Sequence, residues 1–249
     1  IVLTWSDDPA TTQSITWRTS VQVVDPVVEI ALATGGPGFR NSATRVTAKT
    51  ERFESNLNQA HYHSATCRDL EPGTKYAYRV GDGTNWSEWF HFQTAHKDEA
   101  PFSFVYFGDA QNDIRSMWSR VIREAYSDAP KASFFLHAGD LVNRAESDAE
   151  WGEWFESGAF INAMTPSLAV PGNHEQAKDE SGKRRLSRHW KPTFAFPLNG
   201  PKGLEESCYT LVYQGVRVVA LNSNERLAEQ AEWLDRVLAE NSSRWTICT

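Results

Sequence analysis

Three short segments of the chain end in residues that hold protons or metals. FVYFGDAQ delivers Asp109, FFLHAGDL delivers Asp140, and LAVPGNHE delivers Asn173, His174 and Glu175. In each, an apolar run empties into a glycine (Gly108, Gly139, Gly172), and the next residue is a carboxylate or an amide. One Gly-Asp pair is an ordinary turn; the same placement three times is more than folding requires. A carboxylate leaving an apolar strand must be paired or metal-bound to stay ionised. A bridging carboxylate can hold two cations roughly 3.5–4 Å apart, and such a pair activates water and clamps an in-line phosphoryl displacement. Hard oxygen donors together with an imidazole suit Mn, Fe, Zn or Mg.

These residues meet only if the three apolar runs lie side by side as strands, because sites in layered α/β proteins form in the crevice beyond the strands' carboxyl ends. The pattern supports that arrangement. After residue 101, the continuous apolar runs FSFVYFGD, ASFFLHAGD and PSLAVPG alternate with helical segments, as buried parallel strands and their crossovers do. SMWSRVIREAYSDA places Met117, Val121, Ile122 and Ala125 on one helical face. DAEWGEWFESGAFINAM is a second helix, with Trp151, Trp154 and Phe155 as core residues. SCYTLVYQGVRVVALNS reads as strand, turn and strand. NERLAEQAEWLDRVLAEN is an amphipathic helix with Asn224 as its cap, and RWTICT begins one more strand. The earlier residues have a different rhythm. Seven period-2 runs, separated by DDPA, GGPG, EPGT and GDGTN, predict a β-sandwich. The charged, Pro-ended stretch HKDEAP joins the halves, giving a first domain over 1–96, a linker over 97–101 and a second domain over 102–249.

In LEPGTKYAYRV, the order Leu-x-Pro-Gly-Thr-x-Tyr resembles the tyrosine corner of fibronectin type III-like domains, with the Tyr76 hydroxyl bonded to upstream backbone. The succession GD, GDL and GNHE resembles the calcineurin-like metallophosphoesterases. The sandwich in front, with SITWRT and YAYRVGDGTNWSEWFHFQT, resembles the purple acid phosphatase branch. The resemblance spans nearly the whole chain. It implies a fibronectin III-like β-sandwich followed by a layered α/β metallophosphoesterase domain with two divalent or trivalent metal ions (Fe, Mn or Zn). It also implies hydrolysis of a phosphate monoester by metal-activated water attacking phosphorus in line. By position, Asp109 would ligate the first metal, Asp140 would bridge both and Asn173 would ligate the second. His174 would be the catalytic residue beside the phosphate, with Glu175 orienting it. The alternatives are a phosphodiesterase acting on nucleotides or lipid head groups, and a non-catalytic surface binding protein.

The chain departs from the family pattern at three places. The Tyr that follows the bridging Asp by three residues is Asn143 here, either a metal ligand or a loop cap. The first motif reads Asp109-Ala110-Gln111 where many members have Asp-x-His. The later lone-His and Gly-His-x-His motifs are not among these residues, so the α/β domain is expected to be truncated after RWTICT and to bind metal weakly by itself. The resemblance also implies an extracytoplasmic location, secreted or periplasmic.

Other side chains carry plainer expectations. His137 is expected to be a hydrogen-bonded structural histidine, and His61 and His63 to share a solvated sandwich face. Arg188, His189 and Trp190 are candidates for the rim of a substrate pocket, and AKDESGKRR (177–185) for a solvated loop. Cys67, Cys208 and Cys248 are too scattered for a disulfide framework or a CxxC site and read as small buried hydrophobes. A net charge of −7 argues against a nucleic-acid backbone as partner. A phosphorylated small molecule is the partner expected. No run approaches the roughly 20 apolar residues of a membrane span.

Overall fold

A computed structural model describes residues 1–249. Its first half is built from eight strands: β1 (Val2–Thr4), β2 (Gln13–Thr19), β3 (Val27–Leu32), β4 (Thr44–Thr47), β5 (Lys49–Glu54), β6 (Gln59–Cys67), β7 (Lys75–Gly81) and β8 (Phe90–Gln93). They form two antiparallel sheets, ordered β1-β2-β6-β5 and β4-β3-β7-β8. Leu3, Ile15, Val28, Tyr78 and Phe92 are buried between them. The eighth strand arises because TRVTAKTERFE does not run as one piece. Val46 packs on the sandwich core, whereas Phe53 packs on Tyr62 and His189. The chain therefore changes sheets at Ala48. At the corner before β7, the Tyr76 hydroxyl accepts the Glu71 backbone N–H at 2.9 Å, as the motif predicts.

The second half begins with β9 (Val105–Phe107), α1 (Ser119–Asp128), β10 (Phe135–His137), α2 (Asp148–Asn162) and β11 (Ser167–Ala169). The three strands form a parallel sheet ordered β11-β10-β9. Its register pairs His137 with both Phe107 and Ala169, so all three strands end at one level. AKDESGKRR is mostly a hairpin and not a plain loop: β12 (Gln176–Lys178) pairs with β13 (Arg184–Leu186). After the single turn α3 (Trp190–Thr193) come β14 (Tyr209–Tyr213), β15 (Val216–Ala220), α4 (Leu227–Ala239) and β16 (Trp245–Cys248), and the three strands make a second, mixed sheet. Ahead of α1, Ile114–Trp118 forms a wide π turn. Its extra residue rotates the helix, so Ile114, Trp118 and Ile122 face inward while Met117 and Val121 are exposed, contrary to the expected face.

The two halves share a core. Trp5 of the sandwich packs on Phe134 and Tyr213, and the buried Tyr78 hydroxyl donates to the Ala163 carbonyl at 2.6 Å. Arg18 makes a bidentate pair with Asp148 (2.7 and 2.9 Å), and His189 Nε2 lies 3.1 Å from the same carboxylate. His189 stacks on Trp151, Arg188 pairs with Glu146, and Trp190 is fully buried. These three residues close the interface between the halves and do not line a substrate rim. The sequence segment is aromatic because it is packed, with Arg188 snorkelling out to its partner.

Two histidines depart from expectation. His63 is buried, bonded to Thr19 Oγ1 (2.7 Å) and Thr50 Oγ1 (2.9 Å), and not on a solvated face. His137 is boxed by Phe107, Trp118 and Trp154 with neither ring nitrogen hydrogen-bonded, so it is not a satisfied structural histidine. Of the cysteines, Cys67 and Cys208 are buried as expected and Cys248 is exposed. Burial pushes the imidazolium pKa of His63 down to about 4, helped by the charge of His61, and burial alone pushes that of His137 down to about 3. Both folded values lie below the unfolded value near 6.5. The stability they support is therefore complete above pH 6.5 and is lost as pH falls toward the folded values. Each should cost about 2 kcal/mol of unfolding free energy between pH 7 and pH 5. Urea denaturation at the two pH values should show the loss, and His137→Phe should reduce it by about half while raising stability at pH 7. An unchanged pH dependence in His137→Phe would contradict the assignment.

Candidate metal centre

Because β9, β10 and β11 end in register, the loops that leave them start side by side. The first ligand-type residue of two of those loops adopts the left-handed conformation, Asp109 at φ 52° and Asp140 at φ 54°. Left-handed backbone is unusual for a non-glycine residue, and such strain collects at functional sites. Gly139 (φ +91°) and Gly172 lie against one another. A Cβ on Gly139 would run into the Gly172 backbone, and a Cβ on Gly172 would run into the Asp140 carboxylate. Gly108 needs no such freedom, since nothing lies within 4 Å of its missing Cβ.

Glu175 fixes the geometry. It is fully buried, and its carboxylate accepts four backbone N–H groups: Oε2 from Asp140 and Gly172 (both 2.8 Å), Oε1 from Leu141 (2.8 Å) and Val142 (3.2 Å). Its carboxylate makes no hydrogen bond to the His174 ring, so in place of the expected orienting role it bolts two loops together. Burial raises the carboxyl pKa to about 7, against the pull of those four bonds. All four partners are donors, so this pocket is built for the ionised form. Asn224 adds a third tie. It does not cap its helix, which starts at Leu227 after a left-handed Arg226; its Nδ2 donates to the Pro171 carbonyl at 3.0 Å. Sequence reading missed that role, because a Ser-Asn before an amphipathic run reads as a cap.

The His174 backbone N–H donates to Asp140 Oδ1 at 2.9 Å, and its ring Nδ1 lies 2.7 Å from the Asn143 carbonyl oxygen. A carbonyl only accepts, so Nδ1 carries a proton and Nε2 is left free. Asn143 thus enters the site through its backbone. Gln111 spans the two carboxylates: its Nε2 is 3.2 Å from Asp140 Oδ2 and 3.4 Å from Asp109 Oδ1. Asp109 and Asn173 are exposed, and Asp140 is half-buried. The structure therefore brings Asp109, Asp140 and His174 to one edge with Gln111, and sets Asn173 at its rim.

The donors gathered at this edge are hard oxygens, the type that suits a hard cation. Two carboxylates converge on a single NH2 group, and the other atom of that amide, Gln111 Oε1, is buried with no hydrogen-bond partner. Asp109, Asp140 and His174 share this edge without closing into a set of three that could hold a metal, and no other His, Cys, Asp or Glu side chains form such a set.

A β-sandwich packed on an α/β layer, with Asp, Asp and Asn-His delivered to one strand-end edge, is the architecture of a metallophosphoesterase. Residues 1–94 match the model of the purple acid phosphatase N-terminal domain, and residues 102–249 match that of the calcineurin-like phosphoesterases. The chain belongs to the calcineurin-like phosphoesterase family, in the form fronted by a purple acid phosphatase N-terminal domain. It is 24% identical over 198 residues to a purple acid phosphatase of Glycine max, covering 76% of this chain and 42% of that one. It is 23% identical over 202 residues to probable inactive purple acid phosphatase 1 of Arabidopsis thaliana, covering 68% and 32%. The fold is shared with purple acid phosphatase PPD1 from yellow lupin (Lupinus luteus) seeds, at TM-score 0.81 and 18% identity over 99% of this chain and 49% of that one. PhoD shares it at TM-score 0.65 and 14% identity, over 99% and 61%. The chain spans less than half the length of the two curated relatives.

Replacing Glu175 by Gln turns an N–H donor toward backbone N–H groups in a dry pocket. The orphaned donors should cost about 1–3 kcal/mol of stability, read by chemical denaturation. A variant as stable as the parent would show that the carboxylate is not the bolt.

Proposed function

We propose that this chain carries metal-binding residues of a metal-dependent phosphoesterase that hydrolyses phosphate monoesters. The observation that carries the reading is the convergence of the Asp109 and Asp140 carboxylates on one point, with His174 tied to Asp140 beside them. Asp109, Asp140 and Asn173 would hold divalent or trivalent metal, whose chemistry is Lewis-acid activation of water and neutralisation of phosphate charge. The chain's own residues do the rest. The Asn143 carbonyl holds His174 Nδ1–H, leaving Nε2 to meet a phosphate oxygen. Once it carries a proton on Nε2 as well, the imidazole would donate there and pass that proton to the departing alkoxide as the P–O bond breaks. Glu175, Gly139 and Gly172 keep the two loops close enough for His174 and Asp140 to act on one phosphate. An extracytoplasmic setting belongs to the same proposal, on the strength of the family alone. No helix is long and apolar enough to cross a membrane.

A second reading has two observations in its favour: no three His, Cys, Asp or Glu side chains form a set that could hold a metal, and two relatives are named probable inactive. On that reading the protein binds phosphorylated ligands without turning them over.

Assay of the complete gene product with Mn, Fe or Zn against an aryl phosphate monoester and a bis-aryl diester separates the possibilities. Monoester cleavage above diester cleavage supports the proposal. The expected loss is about 10²–10³-fold in kcat for His174→Ala, and Asp140→Asn should abolish turnover. Metal binding without cleavage of either ester would favour the binding protein, and diester preference would favour a phosphodiesterase.

A further inference from the structure

Gln111 follows Asp109 by two residues, and its surroundings are unusual. Its backbone N–H donates to the Asp140 carbonyl at 2.9 Å, so the residue is anchored to the neighbouring loop before its side chain acts. The Nε2 group then reaches both Asp109 and Asp140. An NH2 group between two carboxylates offsets their repulsion, as a cation would in the same position. The other half of the amide is unmatched: Oε1 is buried and accepts nothing. A buried acceptor without a donor carries a desolvation cost, which a cation relieves. The loop around it is held under strain, with Asp109 (φ 52°), Asn112 (φ 64°) and Asp113 (φ 50°) all left-handed, followed by the π turn Ile114–Trp118.

We infer that Gln111 is a metal-centre residue that exchanges its two amide atoms on loading, its NH2 group holding Asp109 and Asp140 together without metal and its oxygen joining them as a neutral ligand when metal binds. The inference rests on the metal-centre reading above. An amide oxygen is a hard donor, whereas an imidazole is borderline. The centre built from Asp109, Asp140 and Gln111 therefore favours Mn2+ and Mg2+, relative to a histidine-bearing counterpart that favours Zn2+. In Gln111 the chain has a residue that determines which metal the site prefers.

The test uses the whole chain and reads binding, not turnover. Calorimetric titration with Mn2+ and with Zn2+ gives an affinity ratio for the parent, Gln111→His and Gln111→Ala. Side-chain amide NMR follows the Gln111 NH2 signals during the Zn2+ titration. The expected results are a displaced Gln111 NH2 pair on Zn2+ binding, and a Zn-to-Mn affinity ratio at least about tenfold higher in Gln111→His. Gln111→Ala should weaken both metals. Asp140→Asn is the control for the underlying site and should lose binding of both. Binding that Asp140→Asn leaves intact, or no binding at all, sinks the metal-centre reading and the Gln111 assignment with it. Binding lost in Asp140→Asn, but with the NH2 signals unmoved and the ratio within about twofold across the Gln111 variants, overturns the assignment alone.

Discussion

Four backbone N–H groups converge on the buried carboxylate of Glu175, two of them from opposite sides of the gap between the β10 and β11 loops. Backbone donors at the ends of strands have no ladder partner, and in a buried place each must find an acceptor. One carboxylate satisfies four at once, and in doing so fixes the spacing between Asp140 and His174. The cost is a buried charge. Burial drives the Glu175 pKa upward and the N–H bonds drive it down, and all four of its hydrogen-bond partners are donors, which suit the ionised form. The site is thus held by an ionised group that takes no part in its chemistry.

That bolt closes only because two glycines permit it. Gly139 supplies a left-handed turn, and Gly172 lets the Asp140 carboxylate approach the next loop's backbone. Asp109 and Asp140 absorb the remaining strain in their own backbones. The shared core, in which Trp5 packs on Phe134 and Tyr213, supports the sheet from below. The Arg18–Asp148–His189 contact seals the same interface nearer the loops. The sandwich is therefore structural support for the strand ends, not a detached module, and a substitution at that interface acts on the site only through the sheet.

Much of this was legible in the residues. Apolar runs ending in Gly and a ligand-type residue located β9, β10 and β11, because a buried strand and its exit leave a compositional edge. The tyrosine corner around Tyr76 was legible because its partners lie close in sequence. What failed was long-range or orientational. His189 looked like a rim residue because exposure cannot be read from a mixed stretch such as LSRHWKP, and it is buried on Trp151. Glu175 was placed beside His174 by adjacency, but a 3-10 turn over Asn173–Glu175 points the two side chains to different partners. Asn224 belonged to a loop tie 53 residues away, which no local pattern encodes. His137 ended a strand where alternation allowed either face, and the aromatic box decided it.

The proposed function depends on Asp109 and Asp140 holding a cation together at the shared end of three parallel strands. Anomalous scattering from a crystal of the chain soaked in Mn2+ tests it most directly. A single strong peak within bonding distance of both carboxylates, with Gln111 beside it, is the expected result. A peak elsewhere on the surface with none between Asp109 and Asp140 would contradict it.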